Sequence, residues 1–194
     1  MSAPIRFWGY VKAIRPRVIV TWFEEERTVT CPGYLLTIEG TLSEDNGPAV
    51  SQTFTVALGP ATTEKRHVGA RDLLRGEAHP VPENTPDVPA DLYKVGILRT
   101  IAPGKPPENL DPPRTDAPLA AEAVPSAPRR ALAAENVNAT GPCHSCPHAV
   151  LACVVRLSDP RQPARSAPWK RVPACLGPTD CPHYSPPTAA TEPR

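Results

Sequence analysis

Excess charge of either sign is missing from this chain. Against 21 Lys and Arg stand 20 Asp and Glu in 194 residues, a formal net charge of +1. That balance excludes a whole-molecule field that would draw in nucleic acid or an anionic membrane. Long apolar runs are missing as well. AVLACVV (149–155), the longest in the C-terminal region, falls far short of the roughly 20 residues that cross a bilayer, so no membrane partner is expected. The opening MSAPIRFWGY lacks a basic segment followed by an apolar one, which points away from secretion and toward a soluble cytoplasmic protein. Signature motifs of hydrolysis are absent: there is no G-x-S-x-G, no HExxH and no phosphate-cradling glycine loop. His67, Asp72 and His79 lie close in sequence without matching any such spacing, and no enzyme activity is expected.

Aromatic residues are scarce at 5 %, and a sustained helical period is absent from residues 5–101. What occupies that half is alternation. IRFWGYVKAI (5–14) sets Phe7, Gly9, Val11 and Ala13 on one face and Trp8, Tyr10 and Lys12 on the other. Pro16 breaks the run, RVIVTWF (17–23) resumes it, and Glu24–Arg27 reads as a charged turn. YLLTIEGTL (34–42) and QTFTVALG (52–59) follow, the second with Phe54, Val56 and Leu58 inward. HVGARDLLRGEAHPV (67–81) is a turn entering a strand through Gly76, and KVGILRTI (94–101) is the last strand. Short strands between polar loops predict a mainly β fold with a small closed barrel, OB-like in its order, over residues 1–101. Gly9 and Gly76 are expected where the barrel bends.

Proline is abundant, 28 residues where about 5 % is usual. Proline, alanine and charge dominate residues 102–140, a composition that predicts a disordered linker. Residues 141–187 read as a Cys-rich, metal-stabilised domain and 188–194 as a disordered tail. Five of the six cysteines fall in this C-terminal part. Cys143 and Cys146 form C-x2-C, Cys175 and Cys181 form C-x5-C, and 28 residues separate the pairs. Two close thiol pairs joined by a loop suit a tetrahedral thiolate site, so these four are the candidate metal ligands. Structural zinc is the preferred metal, and an iron–sulfur cluster is the alternative, with Cys153 as a further thiolate. Disulfides or free thiols remain a third reading, less suited to a reducing compartment. His144, His148 and His183 could each replace a sulfur, though a histidine beside such a knuckle is more often a polar loop residue.

An OB-like domain followed by these two cysteine pairs resembles a group of uncharacterised bacterial and archaeal proteins. The residues carrying the resemblance are Gly9 and Tyr10, Gly33 and Tyr34, RDLLRGEAHPV, YKVGIL, Cys143 with Cys146, and CLGPTDCPHY. Arg71 departs from that pattern, standing where a glycine is usual before the aspartate, and Leu176 stands where an aromatic is usual. Cys153 also lies further from the knuckle than the pattern places a third cysteine. The resemblance implies architecture and brings no activity.

Three functions compete. In the first, the barrel binds single-stranded DNA or RNA, with Trp8 and Tyr10 stacking on bases while Lys12, Arg15 and Arg71 meet phosphates. The opposing reading of Trp8 and Tyr10 is that they cover the barrel against the cysteine domain. In the second, the chain is an assembly subunit with a protein partner. In the third, the cysteines form a redox or iron–sulfur centre.

Overall fold

A computed structural model describes residues 3–24, 26–44, 47–66, 68–104, 130–131, 143, 146, 148–159, 161, 167–176 and 181–183. In chain order the elements are β1 (Ile5–Pro16), β2 (Val18–Phe23), β3 (Glu26–Thr30), β4 (Tyr34–Ser43), β5 (Val50–Leu58), α1 (Pro60–Lys65), β6 (Leu73–Pro80) and β7 (Leu92–Ala102). The short β8 (Arg130–Ala131), then β9 (Ala149–Leu157) and β10 (Trp169–Cys175) complete the set. The fold is mainly β. Most of the expected linker 102–140 and all of the tail 188–194 lie outside the described residues.

Five strands close a barrel in the order β1-β4-β5-β7-β6. The contact between β5 and β7 is parallel and the others antiparallel. Numbering only the barrel strands in chain order gives 1-2-3-5-4, the OB-like arrangement, with α1 between the third and fourth. That helix is the one departure from the expected lack of helix, and Pro60 starts it at a position where a missing N–H costs nothing.

Alternation explains the barrel core. Phe7, Val11, Leu36, Ile38, Phe54, Val56, Leu58, Leu74, Leu92 and Leu98 are all buried together. The Phe7 and Phe54 rings meet edge to face at 6.0 Å. Gly76 lies opposite Phe7 across β1 and β6, and a Cβ there would collide with the Phe7 ring. A Cβ on Gly9 would come within 2.5 Å of the Glu39 carbonyl oxygen. Both glycines therefore sit at close approaches within the barrel wall.

Ala13 is a correction. The β1–β4 register slips between Val11 and Ala13, so that Val11 faces Ile38 but Ala13 faces Thr37. This β-bulge reverses the phase of the strand. Ile14 and Pro16, not Ala13, continue the inward face.

The turn before β6 hangs on Asp72. Its carboxylate is buried and accepts the Gly69 N–H at 2.7 Å and the Gly104 N–H at 2.8 Å. The Asp72 carbonyl accepts the Val11 N–H at 3.0 Å, and the Arg71 N–H donates to the Val11 carbonyl at 2.7 Å. One carboxylate thus ties this turn to the chain leaving β7, while the adjoining backbone clamps β1.

Residues 17–23 also depart from expectation. Instead of joining the barrel, β2 and β3 form a hairpin in a second, five-stranded sheet ordered β3-β2-β9-β10-β8. Part of the expected charged turn, from Glu26, belongs to β3. Pro16 ends β1, and the barrel closes without the next strand, so β2 pairs elsewhere. It runs parallel to β9, from Val18 opposite Ala152 to Phe23 opposite Leu157. Val18, Val20, Val150, Ala152, Ala174 and Leu176 make a second core, with Trp22, Val29, Cys31 and Val154 packed against it. Among the described residues no helix is long and apolar enough to cross a membrane.

Candidate binding face and cysteine cluster

Trp8 and Tyr10 point outward from β1 and are 49 % and 56 % exposed, so the second sheet does not cover them. Strand register decides their neighbours. Trp8 lies opposite Thr41 on β4 and Arg75 on β6, and Arg75 in turn lies opposite Arg99 on β7. The barrel wall thus carries a row Thr41–Trp8–Arg75–Arg99, with both arginines exposed. Trp8, Arg75 and Ile101 line a shallow depression, and Ile97 and Ile101 are about half exposed. Like charges placed directly opposite on neighbouring strands cost stability, so packing alone gives no reason for Arg75 to face Arg99.

The predicted cations divide. Lys12 occupies the bulge of β1, where its Nζ donates to Glu39 Oε2 at 2.6 Å, an exposed pair. Arg71 is held beside Val11 and so near Tyr10 and Lys12. Its φ of 69° is left-handed, which explains why a glycine suits this position. Arg15 lies past the bulge opposite Leu35, away from the Trp8 row and half-buried. Sequence reasoning assigned neither Arg75 nor Arg99 to the site. Outward alternation in β6 and β7 exposes both, but only the register places Arg75 beside Trp8 and Arg99 beside Arg75. The wall formed by β4 and β5 instead presents Thr37, Glu39, Thr53 and Thr55, with no aromatic among them.

The cysteines are organised by the β9–β10 ladder. Ala149, the first residue of β9, faces Cys175, the last residue of β10. Cys143 and Cys146 precede β9, and Cys181 follows β10, so both pairs leave the same end of the ladder. Two successive turns shape the first pair: the Cys146 N–H donates to the Cys143 carbonyl at 3.2 Å, and the Ala149 N–H to the Cys146 carbonyl at 3.2 Å. The Leu176 N–H donates to the His148 carbonyl at 2.9 Å, linking the two ends. Cys143, Ala149 and Cys175 form a small buried cluster with Cys146 against it.

Burial pushes the Cys143 thiol up, and the nearby sulfurs of Cys146, Cys175 and Cys181 push it further in the same direction. The other three predicted ligands thus lie within electrostatic reach of Cys143. No disulfide joins any of the six cysteines, all of which are among the described residues. Among the described residues no three His, Cys, Asp or Glu side chains converge closely enough to hold an ion, so the four stand as neighbours rather than as a closed tetrahedron. The donor chemistry fits a soft divalent cation, which favours thiolate over oxygen donors. Cys153 is apart from this group, wholly buried in β9, its thiol pushed up by burial although Arg171 and Arg17 oppose the shift. Cys31 is half-buried against the second core. His183 is exposed, and His144 lies outside the described residues.

Comparison with known proteins finds no matching family model, no matching curated protein and no matching solved structure.

Proposed function

We propose that the chain is a single-stranded nucleic-acid-binding module built on an OB-like barrel, with a structural zinc held by Cys143, Cys146, Cys175 and Cys181. The observation that carries the reading is the row Trp8–Arg75–Arg99 on an exposed barrel wall. An exposed indole offers a base a stacking surface, and two guanidiniums a strand apart suit successive phosphates. The near-neutral composition hides this local stripe, which has Glu77 two residues from Arg75 on β6 and Glu39, opposite Tyr10, paired with Lys12. Zinc would act as a staple: it has no redox chemistry of its own and adds folding free energy to a part of the chain with few large apolar residues.

Titration of the protein with labelled oligo-dT and oligo-U at several salt concentrations tests the binding reading. Trp8→Ala should cost about 1–3 kcal/mol of binding with the barrel folded. Arg75→Gln and Arg99→Gln should each flatten the log K against log salt slope by about 0.7. Absence of binding to either strand at low salt defeats the proposal. A second reading, docking of a protein partner on the same wall, draws on the half-exposed Ile101, which lines the depression with Trp8, and Ile97 further along β7. It would then account for Trp8→Ala weakening assembly without any salt-dependent strand binding.

A further inference from the structure

α1 ends beside β7. Thr62 and Lys65 of the helix, Arg66 just after it, and Val95, Gly96 and Leu98 of β7 line one cleft of about 190 Å³. Lys65 and Arg66 are exposed, and among the described residues neither has a carboxylate partner. The helix dipole favours a cation in the last turn, which suits Lys65. A second cation on the same cleft adds repulsion with no paired acid to offset it.

Gly96 is the second observation. It lies inside β7, where a glycine weakens the strand. The fold does not call for it: its φ is not left-handed, and a Cβ there would meet nothing within 4 Å. The strained conformation falls on Lys94 instead, with a φ of 49°, where the β6–β7 register slips between Glu77 and His79. Glycine inside a strand often marks the close approach of a ligand. Here bare backbone faces open space beside two unpaired cations. That combination suits an anionic chain, since phosphate oxygens accept from main-chain N–H groups as well as from Lys and Arg.

The cleft also continues the row on the barrel wall. Leu98 lines it, and the next residue, Arg99, carries the row onto β7, with Arg75 opposite on β6 and Trp8 beyond on β1. Among the described residues β5 pairs with β7 only between Val56 and Leu92, so further along β7 it is α1 that flanks the strand.

We infer that Lys65, Arg66 and the Gly96 backbone form a second phosphate-binding subsite. A single strand then runs across the barrel strands from Trp8 over Arg75 and Arg99 to the end of α1. This rests on the single-strand reading of the Trp8 wall. Such a path makes length part of recognition: a strand too short to reach α1 engages only Trp8 and the two arginines.

Binding of labelled oligo-dT to the full-length protein tests this, with a strand of about 3 nucleotides compared with one of about 10, since an OB fold covers roughly 4–16. The double variant Lys65→Gln/Arg66→Gln should lower the salt slope for the longer strand by about 1.4, twice the roughly 0.7 of one contact, and leave the shorter strand unaffected. Gly96→Val should melt no lower than wild type, because the added side chain meets nothing in the fold and suits a strand. Its affinity for the longer strand should nevertheless fall roughly tenfold, with that for the shorter one unchanged. A Gly96→Val variant that melts well below wild type would put the glycine in service of the fold and count against the inference. Loss of binding in Trp8→Ala, with wild-type slope and affinity in both the Lys65/Arg66 and Gly96 variants, overturns the subsite and leaves the Trp8 wall standing. A wild-type chain that binds neither strand at low salt removes both together.

Discussion

Arg17 grips Asp87 twice, its Nε donating to the Asp87 carbonyl at 3.0 Å and its Nη2 to Oδ2 at 2.8 Å. The two side chains are 14 % and 31 % exposed, so this pair is more sheltered than the surface pair Lys12–Glu39. Arg17 is the single residue between β1 and β2, and Asp87 belongs to the 81–91 connection between β6 and β7. The contact therefore fastens the start of the second sheet to a barrel loop. Its two-point geometry and partial burial make it worth more than an exposed ion pair.

A double-mutant cycle with Arg17→Ala and Asp87→Ala should return a coupling of about 1–2 kcal/mol in urea unfolding. The cycle on Lys12 and Glu39 should return under about 0.5 kcal/mol. Equal couplings at the two sites would mean that the Arg17 contact does not fasten the loop.

Arg71→Gly should raise stability despite removing a long side chain. Arg71 has a φ of 69°, a conformation that costs a residue with a Cβ roughly 1 kcal/mol or more. Glycine removes that cost, although its freer unfolded chain returns part of the gain. The expected net change is about +0.5 kcal/mol in thermal or denaturant unfolding. Arg71→Ala, which keeps the Cβ, should show no gain. If Arg71→Ala stabilises as much as Arg71→Gly, charge rather than backbone strain is responsible.

These two sites mark what the sequence makes legible and what it hides. Phe54, Val56 and Leu58 announce themselves because strand alternation is local, and the closed OB-like barrel follows from a series of such strands. The Asp72 turn was visible as a pattern, but its physical role as acceptor for Gly69 and Gly104 depends on a chain segment 32 residues away. Ala13 was misplaced because a bulge has no compositional signature in KAI. β2 was misassigned because its partner β9 lies more than a hundred residues downstream, and a parallel pairing of VIVTWF with ACVVRL leaves no trace in either segment alone. Arg75 and Arg99 were legible as outward residues but not as neighbours of Trp8, since register is a property of pairs of strands.

Cys153 should make the protein less stable in alkali. Burial raises its thiol pKa, so the folded chain keeps this proton to higher pH than the unfolded chain does. Stabilisation from the neutral thiol is complete below the unfolded value of about 8.5 and is lost as pH rises from there through the folded value. Tyr34, also pushed up by burial, adds a loss of the same sign starting near 10. Urea unfolding of wild type between pH 7 and 10.5 should therefore decline more steeply than that of Cys153→Ala. Parallel pH profiles would show that the buried thiol does not contribute. Because Cys153 sits away from the cysteine cluster, Cys153→Ser should also leave metal content unchanged, whereas Cys175→Ser should abolish it.

Metal removal should also be felt in a segment that touches no cysteine of the cluster. β9 begins at Ala149, three residues after Cys146, and β10 ends at Cys175 itself, so the proposed site closes one end of that ladder. β2 adds to the other edge of β9 through a parallel pairing that spans Val18–Phe23. Its remaining neighbour is β3, a hairpin partner, and an isolated hairpin is marginal in water. The barrel has its own closed hydrogen-bond network and its own core, including Phe7, Leu36, Phe54 and Leu74. Chelation should then abolish amide-exchange protection across Val150–Val155 and Val18–Phe23 together, while protection in β4 and β5 persists. Trp22, stacked beneath Arg156 at 5.4 Å from its ring centre, offers a second reporter, and its fluorescence should shift on chelation. Loss of protection in β9 with β2 unchanged would show that the hairpin is held by the barrel end rather than by the metal-closed sheet. Simultaneous loss in β4 and β5 would show a single cooperative unit, in which the barrel too depends on the metal.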